Sequence, residues 1–218
     1  FHDIARSYVL YRDEKNRLRQ FRVRQLQYQL LNAPLPTDSE KKVTVKLYNG
    51  SETQMGPSDL HPLINKFFAG YSHLNSQKML SDTFDAMFDG IDAEGVNEAL
   101  IISARTLIEE QPDFSYVAAR MLKKRLFDGA YRYLIAKDLD LAEMPEDYSS
   151  LLKPFIEKGV AHGLINKELA QYNMEKLIAA LDCSRDDQFN YLGLQTLYDR
   201  YFLHDDNVRY ELPQIFFM

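Results

Sequence analysis

The sequence has one cysteine, Cys183, and no tryptophan among its 218 residues. A single cysteine excludes an internal disulfide and fits a reducing compartment, so a cytoplasmic location is predicted. No apolar run approaches the roughly 18 residues that a membrane span requires, and no secretory signal pattern is visible. The net charge of −6 lacks the basic excess of a general nucleic-acid surface. These absences predict that neither a membrane nor a nucleic acid is a partner.

Metal-ligand spacings are also missing. None of the five histidines stands in a His-x-x-x-His or Glu-x-x-His pair, which argues against a helix-borne zinc or di-iron site. The remaining candidate for a cation is His204 with Asp205 and Asp206, with Asp186 and Asp187 near in space. Solvation of a polar turn explains the same residues better, so no metal site is predicted. A helical metal-dependent hydrolase would lack its ligands.

Motifs for nucleophilic catalysis and phosphate binding are absent as well. Cys183 lies between Asp182 and Ser184, and an adjacent carboxylate disfavours the reactive thiolate. The sequence contains no Gly-x-x-x-x-Gly-Lys, Gly-x-Gly-x-x-Gly or Gly-x-Ser-x-Gly segment. The residues therefore predict no catalytic, cofactor-binding or metal-binding site.

The pattern of apolar residues predicts a mostly α-helical chain with one small β-hairpin. Residues 1–31 have helical spacing, and their basic run Arg12–Arg24 is either a solvated face or a site for phosphate or an acidic partner. Residues 32–39 contain two prolines and are predicted to be a linker at a domain boundary. Alternation over Val43–Leu47, followed by Asn49-Gly50, predicts a hairpin with a type I′ turn that returns through residues 52–55.

The remainder of the chain is predicted to be helical. Ser58 is the expected cap of a helix from Asp59 to Tyr71, and Lys123-Lys124-Arg125 is interpreted as a solvated last turn favoured by the helix dipole. One helix is predicted to begin at Ser76 or Ser81 and to stop at residues 88–90. Further helices are predicted over residues 96–108, 114–125, 149–162, 167–181 and 187–203, with a short strand at 209–212. The last residues, 212–218, are apolar. A complete domain should cover Ile215, Phe216 and Phe217, whereas a piece of a longer protein should leave them exposed.

Four segments resemble the large subunit of class I ribonucleotide reductases. Asp187–Leu203 (DQFNYLGLQTLYDRYFL) is similar to the helix that precedes the catalytic barrel, and Tyr210–Met218 resembles the entry into that barrel. Phe88-Asp89-Gly90-Ile91 and Phe114–Arg120, taken with the hairpin, resemble an ATP-cone, a small allosteric domain. Ile4–Arg12 resembles the last helix of another ATP-cone.

The resemblance implies four parts of the chain. Residues 1–20 would be the C-terminal helix of a first ATP-cone, and residues 21–42 a linker. Residues 43–133 would form a second, degenerate ATP-cone. Residues 134–218 would form the all-α N-terminal domain that leads into the catalytic barrel.

The second cone departs from the family at the positions that meet phosphates. Leu47 and Tyr48 stand where functional cones have a Lys-Arg pair, although a shift of one residue would place Lys46 there. Asn97 corresponds to a histidine, and Asp128 corresponds to a lysine. Loss of these cations removes most charge-assisted hydrogen bonds to a triphosphate. We therefore expect that residues 43–133 bind neither ATP nor dATP.

The resemblance also implies a parent enzyme that reduces ribonucleoside diphosphates at the 2′ carbon by radical chemistry, for DNA precursor synthesis. Its implied partners are a radical-generating small subunit, further copies of the large subunit, and thioredoxin or glutaredoxin. ATP and dATP would be allosteric effectors of that parent. The catalytic cysteines would lie outside this sequence, which would serve regulation and assembly. The competing hypothesis is a stand-alone, non-enzymatic helical interaction domain.

Overall fold

Three short strands form a sheet at one side of the described chain. The computed structural model describes residues 42–144, 147–205 and 208–218. Strands β1 (Val43–Lys46) and β2 (Glu52–Met55) form the predicted antiparallel hairpin, and β3 (Ile91–Asp92) pairs in parallel with β1. Strand β3 was not predicted, because two residues are too few to show an alternating pattern.

The turn of the hairpin differs from the predicted type I′ turn. That turn needs two residues with positive φ, whereas within residues 47–51 only Gly50 has one, at 79°. The Leu47 amide donates to the Ser51 carbonyl at 2.8 Å, and the Asn49 side chain accepts from the Ser51 amide at 2.9 Å. The connection is therefore longer than predicted, and Tyr48 lies in the loop.

Four helices pack behind this sheet: α1 (Pro57–Phe67), α2 (Ser76–Ala86), α3 (Ala93–Thr106) and α4 (Phe114–Ile135). The predicted cap of α1 was wrong, because the N-cap is Gly56 rather than Ser58. The Asp59 carboxylate accepts a hydrogen bond from the Gly56 amide at 2.8 Å. Asn75 caps α2 and Asp92 caps α3 through side-chain oxygens that accept from backbone amides of the first turn.

Helix α4 is longer than predicted and is 22 residues long. The interpretation of Lys123-Lys124-Arg125 as a solvated last turn was wrong, because α4 continues to Ile135 and the Lys124 side chain is fully buried. The helix ends at Ala136, which adopts the left-handed conformation with φ 52°.

The second half of the described chain is made of shorter elements. The predicted helices over 167–181 and 187–203 are interrupted, because Asn173 and Asn190 cap new helices. The predicted strand at 209–212 is shorter and pairs with His204–Asp205. The elements are α5 (Ser149–Ala161), a 3-10 turn (Lys167–Gln171), α6 (Met174–Ala180), a 3-10 turn (Cys183–Gln188), α7 (Tyr191–Arg200), β4 (His204–Asp205), β5 (Val208–Arg209) and α8 (Pro213–Phe216).

Helix α4 is the centre of the fold. It packs against α3 and α1 on the side of the hairpin and against α5, α7 and β5 on the other side. Its buried apolar residues join one core with those of the neighbouring elements. The prediction of a mostly α-helical chain with a small hairpin is confirmed. Among the described residues, no helix is long and apolar enough to span a membrane.

Several predictions fall outside the described residues. These are the helix over residues 1–31 with its basic run Arg12–Arg24, the linker at 32–39, and the units assigned to 1–20 and, except for Lys42, to 21–42. Asp206 of the cation candidate also lies outside them. The boundary between residues 133 and 134 stays a prediction; it lies within the last turn of α4.

Candidate functional site

Three of the positions that the resemblance singled out meet in the structure. Tyr48 from the hairpin turn, Asn97 from α3 and Asp128 from α4 are joined by hydrogen bonds. We call the group that surrounds them the polar cluster, and it consists of Tyr48, Glu94, Asn97, Lys124, Arg125 and Asp128. The cluster lies where the hairpin, α3 and α4 meet, with its deepest members enclosed in the core.

A buried ion pair forms the base of the polar cluster. The Lys124 ammonium donates to Asp128 Oδ2 at 2.6 Å, and the two side chains are 0% and 1% exposed. Asn97 Nδ2 donates to the same Asp128 oxygen at 3.1 Å. Burial raises the pKa of the Asp128 carboxyl, while Lys124 opposes that rise by stabilising the charged form. A buried charge is tolerated only when it is paired in this manner.

Tyr48 and Glu94 form the outer part of the polar cluster. The Tyr48 hydroxyl accepts from Asn97 Nδ2 at 3.1 Å and donates to Glu94 Oε2 at 3.2 Å. Arg125 Nε donates to Glu94 Oε1 at 2.5 Å. The Arg132 guanidinium carbon lies 3.7 Å from the centre of the Tyr48 ring. Burial, with the nearby charges of Glu94 and Asp128, raises the pKa of the Tyr48 hydroxyl, so Tyr48 stays neutral.

The charges of the polar cluster balance internally. Lys124 is paired with Asp128, and Arg125 is paired with Glu94. A shift of one residue would have placed Lys46 in the site. In the structure Lys46 is exposed at the end of β1 and is not part of the polar cluster. A triphosphate is bound through several cationic donors, and here Lys124 and Arg125 already have carboxylate partners.

The cleft next to the hairpin turn is acidic. It has a volume of about 350 Å³, and the turn residues 47–49 form one wall while residues 138–141 and 143 form the other. Asp138, Asp140 and Glu143 belong to the second wall. Arg132 pairs with Asp138 at 3.3 Å and Lys137 with Glu143 at 3.5 Å, so these cations are already neutralised and Asp140 leaves the cleft with a net negative charge that repels a polyphosphate. The cleft therefore adds to the mismatch between the polar cluster and a nucleotide.

A second buried group of polar side chains ties the end of the chain to the turn before α7. The Tyr148 hydroxyl donates to Asp186 Oδ2 at 2.6 Å. Gln214 Nε2 donates to Asp186 Oδ1 at 3.3 Å, and Gln214 Oε1 accepts from the Asp182 amide at 2.9 Å. Burial raises the pKa of the Asp186 carboxyl. These contacts are structural, since both oxygens of the Asp186 carboxylate accept hydrogen bonds from other segments of the chain.

A pH dependence of stability follows from two buried carboxyls. Burial raises the pKa of Asp186 and of Glu211, whose Oε2 accepts from the Leu203 amide at 2.8 Å. The folded chain therefore binds more protons than the unfolded chain, so stability is highest below the unfolded pKa and falls as the pH rises through the folded pKa. In urea titrations we expect these two carboxyls to make the free energy of unfolding fall as the pH rises above about 4, the pKa of an unfolded carboxyl.

Glu211→Gln supplies the check on this pH dependence. Glutamine keeps the oxygen that accepts from Leu203 but does not titrate, so the pH slope should become smaller. Glu157→Gln, at a largely exposed position of α5, should leave the slope unchanged. An unchanged slope in Glu211→Gln would show that this carboxyl is not responsible.

The apolar end of the chain is covered unevenly. Ile215 is buried, Phe216 is half-buried and Phe217 is 65% exposed. The Phe217 ring lies parallel to Phe189 with centroids 6.2 Å apart. A cleft of about 610 Å³ beside them is lined by residues 180–181, 185–186, 188–189, 214 and 217–218. The sequence-based test on Ile215, Phe216 and Phe217 thus has a mixed outcome.

The proposed alternatives for metal binding and nucleophilic catalysis can be placed in the structure. Asp205 accepts from the Tyr133 hydroxyl at 2.5 Å and lies 3.5 Å from His162 Nδ1. Asp187 is paired with Lys123 at 2.8 Å. Across residues 42–144, 147–205 and 208–218, no three His, Cys, Asp or Glu side chains are grouped so as to hold a metal ion. Cys183 is partly buried in the 3-10 turn before α7.

Sequence reasoning missed Lys124, Glu94 and Arg125 as members of the polar cluster. The signal for Lys124 was available, because residues 117, 121, 124 and 128 follow the i, i+4, i+7, i+11 spacing of the buried face of α4. A lysine on that face requires a counter-ion, and Asp128 at i+4 supplies it. Glu94 and Arg125 come from different helices, so only the packing of α3 on α4 shows that they meet.

Comparison with known proteins gives one consistent result. No family model matches the chain. The chain is 34% identical over 217 residues to the ribonucleoside-diphosphate reductase subunit alpha of Chlamydia muridarum. This alignment covers 98% of the chain and 20% of that protein. The subunit alpha of Chlamydia pneumoniae is 30% identical over 219 residues, again with 20% of its length covered.

Another relative matches a shorter stretch. The ribonucleoside-diphosphate reductase subunit alpha of Helicobacter pylori is 35% identical over 133 residues, which is 60% of this chain and 15% of that protein. The chain spans about a fifth of the length of the relatives that match it throughout.

Proposed function

This chain is homologous over its whole length to the alpha subunit of ribonucleoside-diphosphate reductase, and we propose that it acts as the regulatory and assembly part of such a subunit. The homology to several alpha subunits carries this proposal, because those relatives align with 98–100% of the chain at 30–34% identity. The stand-alone interaction domain has no support in the comparisons.

The whole enzyme is proposed to reduce ribonucleoside diphosphates to deoxyribonucleoside diphosphates in the cytoplasm. Its proposed partners are a radical-generating small subunit, further copies of the alpha subunit, and thioredoxin or glutaredoxin. This chain alone is proposed to be inactive. Reduction of the ribose needs a pair of cysteines that is oxidised to a disulfide, and the sequence contains only Cys183. Catalysis would therefore reside in the parts of an alpha subunit that these 218 residues do not match.

Within this regulatory part, residues 43–133 are proposed to form an ATP-cone that has lost nucleotide binding. The polar cluster supports this proposal, since Lys124 and Arg125 are neutralised by Asp128 and Glu94. Asn97 donates to Tyr48 and Asp128 rather than facing an open pocket. ATP and dATP are proposed to act on the whole enzyme elsewhere, and this unit would serve as a spacer or an assembly surface.

Isothermal titration of the 218-residue chain with ATP and dATP in the presence of Mg²⁺ tests this proposal. We expect no saturable heat up to millimolar nucleotide, because the cluster offers no unpaired buried cation among the described residues. Tyr48→Ala, which removes the side chain between the cleft and Asn97, serves as the variant that locates any signal. Micromolar dATP binding that changes in Tyr48→Ala would refute the proposed loss of nucleotide binding.

A further inference from the structure

We propose that Lys124 and Asn97 form a site for a small oxyanion, and that the Asp128 carboxylate permanently fills it as a tethered counter-anion. This inference rests on the proposed function, in which the polar cluster binds no nucleotide. It goes further by stating what takes the place of a ligand.

The donors of the site converge on a single oxygen. Lys124 Nζ and Asn97 Nδ2 both donate to Asp128 Oδ2, at 2.6 and 3.1 Å. The other oxygen, Asp128 Oδ1, is buried and has no hydrogen-bond partner. Buried polar atoms are normally paired, so this carboxylate is only half satisfied. The site therefore recognises one negatively charged oxygen, which any small carboxylate or similar oxyanion can supply.

The charge of the surroundings also favours an anion at this place. The Lys124 side chain is fully buried, and among the described residues Asp128 is the acid within 4 Å of its ammonium. Glu94 is engaged by Arg125 and by Tyr48. A buried ammonium without a counter-ion is strongly destabilising. An anion beside Lys124 therefore stabilises the fold, and the chain carries it within α4, one turn from the lysine.

The site is closed to solutes from outside. Tyr48 from the hairpin turn binds Asn97 and Glu94 at once, and Arg132 stacks on its ring. These contacts hold the turn against α3 and α4. Because Asp128 is part of the chain and the hairpin turn is held in place, residues 43–133 have one stable arrangement at any concentration of effector nucleotides. A free anion can enter only when the Asp128 carboxylate is removed.

Rescue of Asp128→Ala by formate tests the inference. Alanine leaves a space of about the size of a carboxylate next to Lys124, and a ligand that binds only the folded state stabilises it. The melting temperature of this 218-residue variant should rise saturably, by about 3–6 °C over 0–100 mM formate. Sodium chloride added to constant ionic strength separates this gain from a general salt effect.

The matched control is the double variant Lys124→Met with Asp128→Ala, which keeps the space but lacks the ammonium. Formate should not raise its melting temperature more than chloride does. An equal response of the single and double variants would overturn the proposal. If Asp128→Ala is unfolded without additions, far-UV circular dichroism should show folding with formate and none with chloride. Absence of folding at every formate concentration would also overturn it.

The outcome is independent of the nucleotide titration. Binding of dATP by the unmodified chain that depends on Tyr48 would refute the proposed loss of nucleotide binding, while formate rescue would still support the tethered anion. Absence of dATP binding together with absence of rescue would leave the proposed function standing and remove the tethered anion.

Discussion

Replacing Lys124 with methionine should lower the free energy of unfolding by about 3–5 kcal/mol, which is the usual cost of removing one partner from a buried ion pair. Methionine fills much of the space of the lysine side chain but leaves the Asp128 carboxylate without its ammonium partner. The loss should become smaller as the pH falls, because burial raises the pKa of Asp128 and protonation removes the unpaired charge. Urea unfolding followed by far-UV circular dichroism at several pH values measures both effects.

Two controls separate the buried ion pair from other causes. Lys78→Met breaks an ion pair of 2.8 Å with Glu110, in which the two side chains are 41% and 61% exposed, and we expect a loss below about 1 kcal/mol. The double variant Lys124→Met with Asp128→Leu replaces both charges by apolar groups. It should recover much of the stability, since apolar replacements of a whole buried pair are often tolerated. A loss below 1 kcal/mol in Lys124→Met would contradict the pairing seen here.

Replacing Phe127 with alanine should lower the free energy of unfolding by about 3–5 kcal/mol, because it opens a cavity in the centre of the core. Phe127 is fully buried in α4, and its ring contacts Tyr148 edge-on with centroids 5.1 Å apart. Tyr148 lies directly before α5, so Phe127 joins the hairpin half of the fold to the second half. Urea unfolding should show a lower midpoint and a single transition, because both halves share α4.

The matched control for this cavity is Phe88→Ala. The Phe88 side chain is 65% exposed, so its removal should change the free energy of unfolding by no more than about 0.5 kcal/mol. A second transition in Phe127→Ala, detected by circular dichroism, would show that the two halves unfold separately. That result would support the predicted boundary near residue 133 as a true domain boundary.

The polar cluster shows how much of a site local sequence patterns can indicate. The resemblance to the reductase large subunit singled out Tyr48, Asn97 and Asp128, and the structure places these residues within hydrogen-bond distance. The local charge pattern instead placed Lys124 in solvent, because Lys123-Lys124-Arg125 was interpreted as a solvated last turn of the helix. The direction of a side chain depends on where the helix ends, and α4 continues for several turns beyond the run.

The sequence by itself determined the class of the fold, the hairpin and the family resemblance. These depend on hydrophobic periodicity, on turn residues and on quoted motifs, all of which are local properties of the chain. Only the tertiary structure decided that β3 pairs with β1 and that Glu94 binds Arg125. It also decided that Lys124 and Asn97 both donate to the buried Asp128 carboxylate. Each of these contacts except Lys124–Asp128 joins residues more than 30 positions apart. The free energy that each contact contributes to folding depends on its burial, which no short segment of sequence specifies.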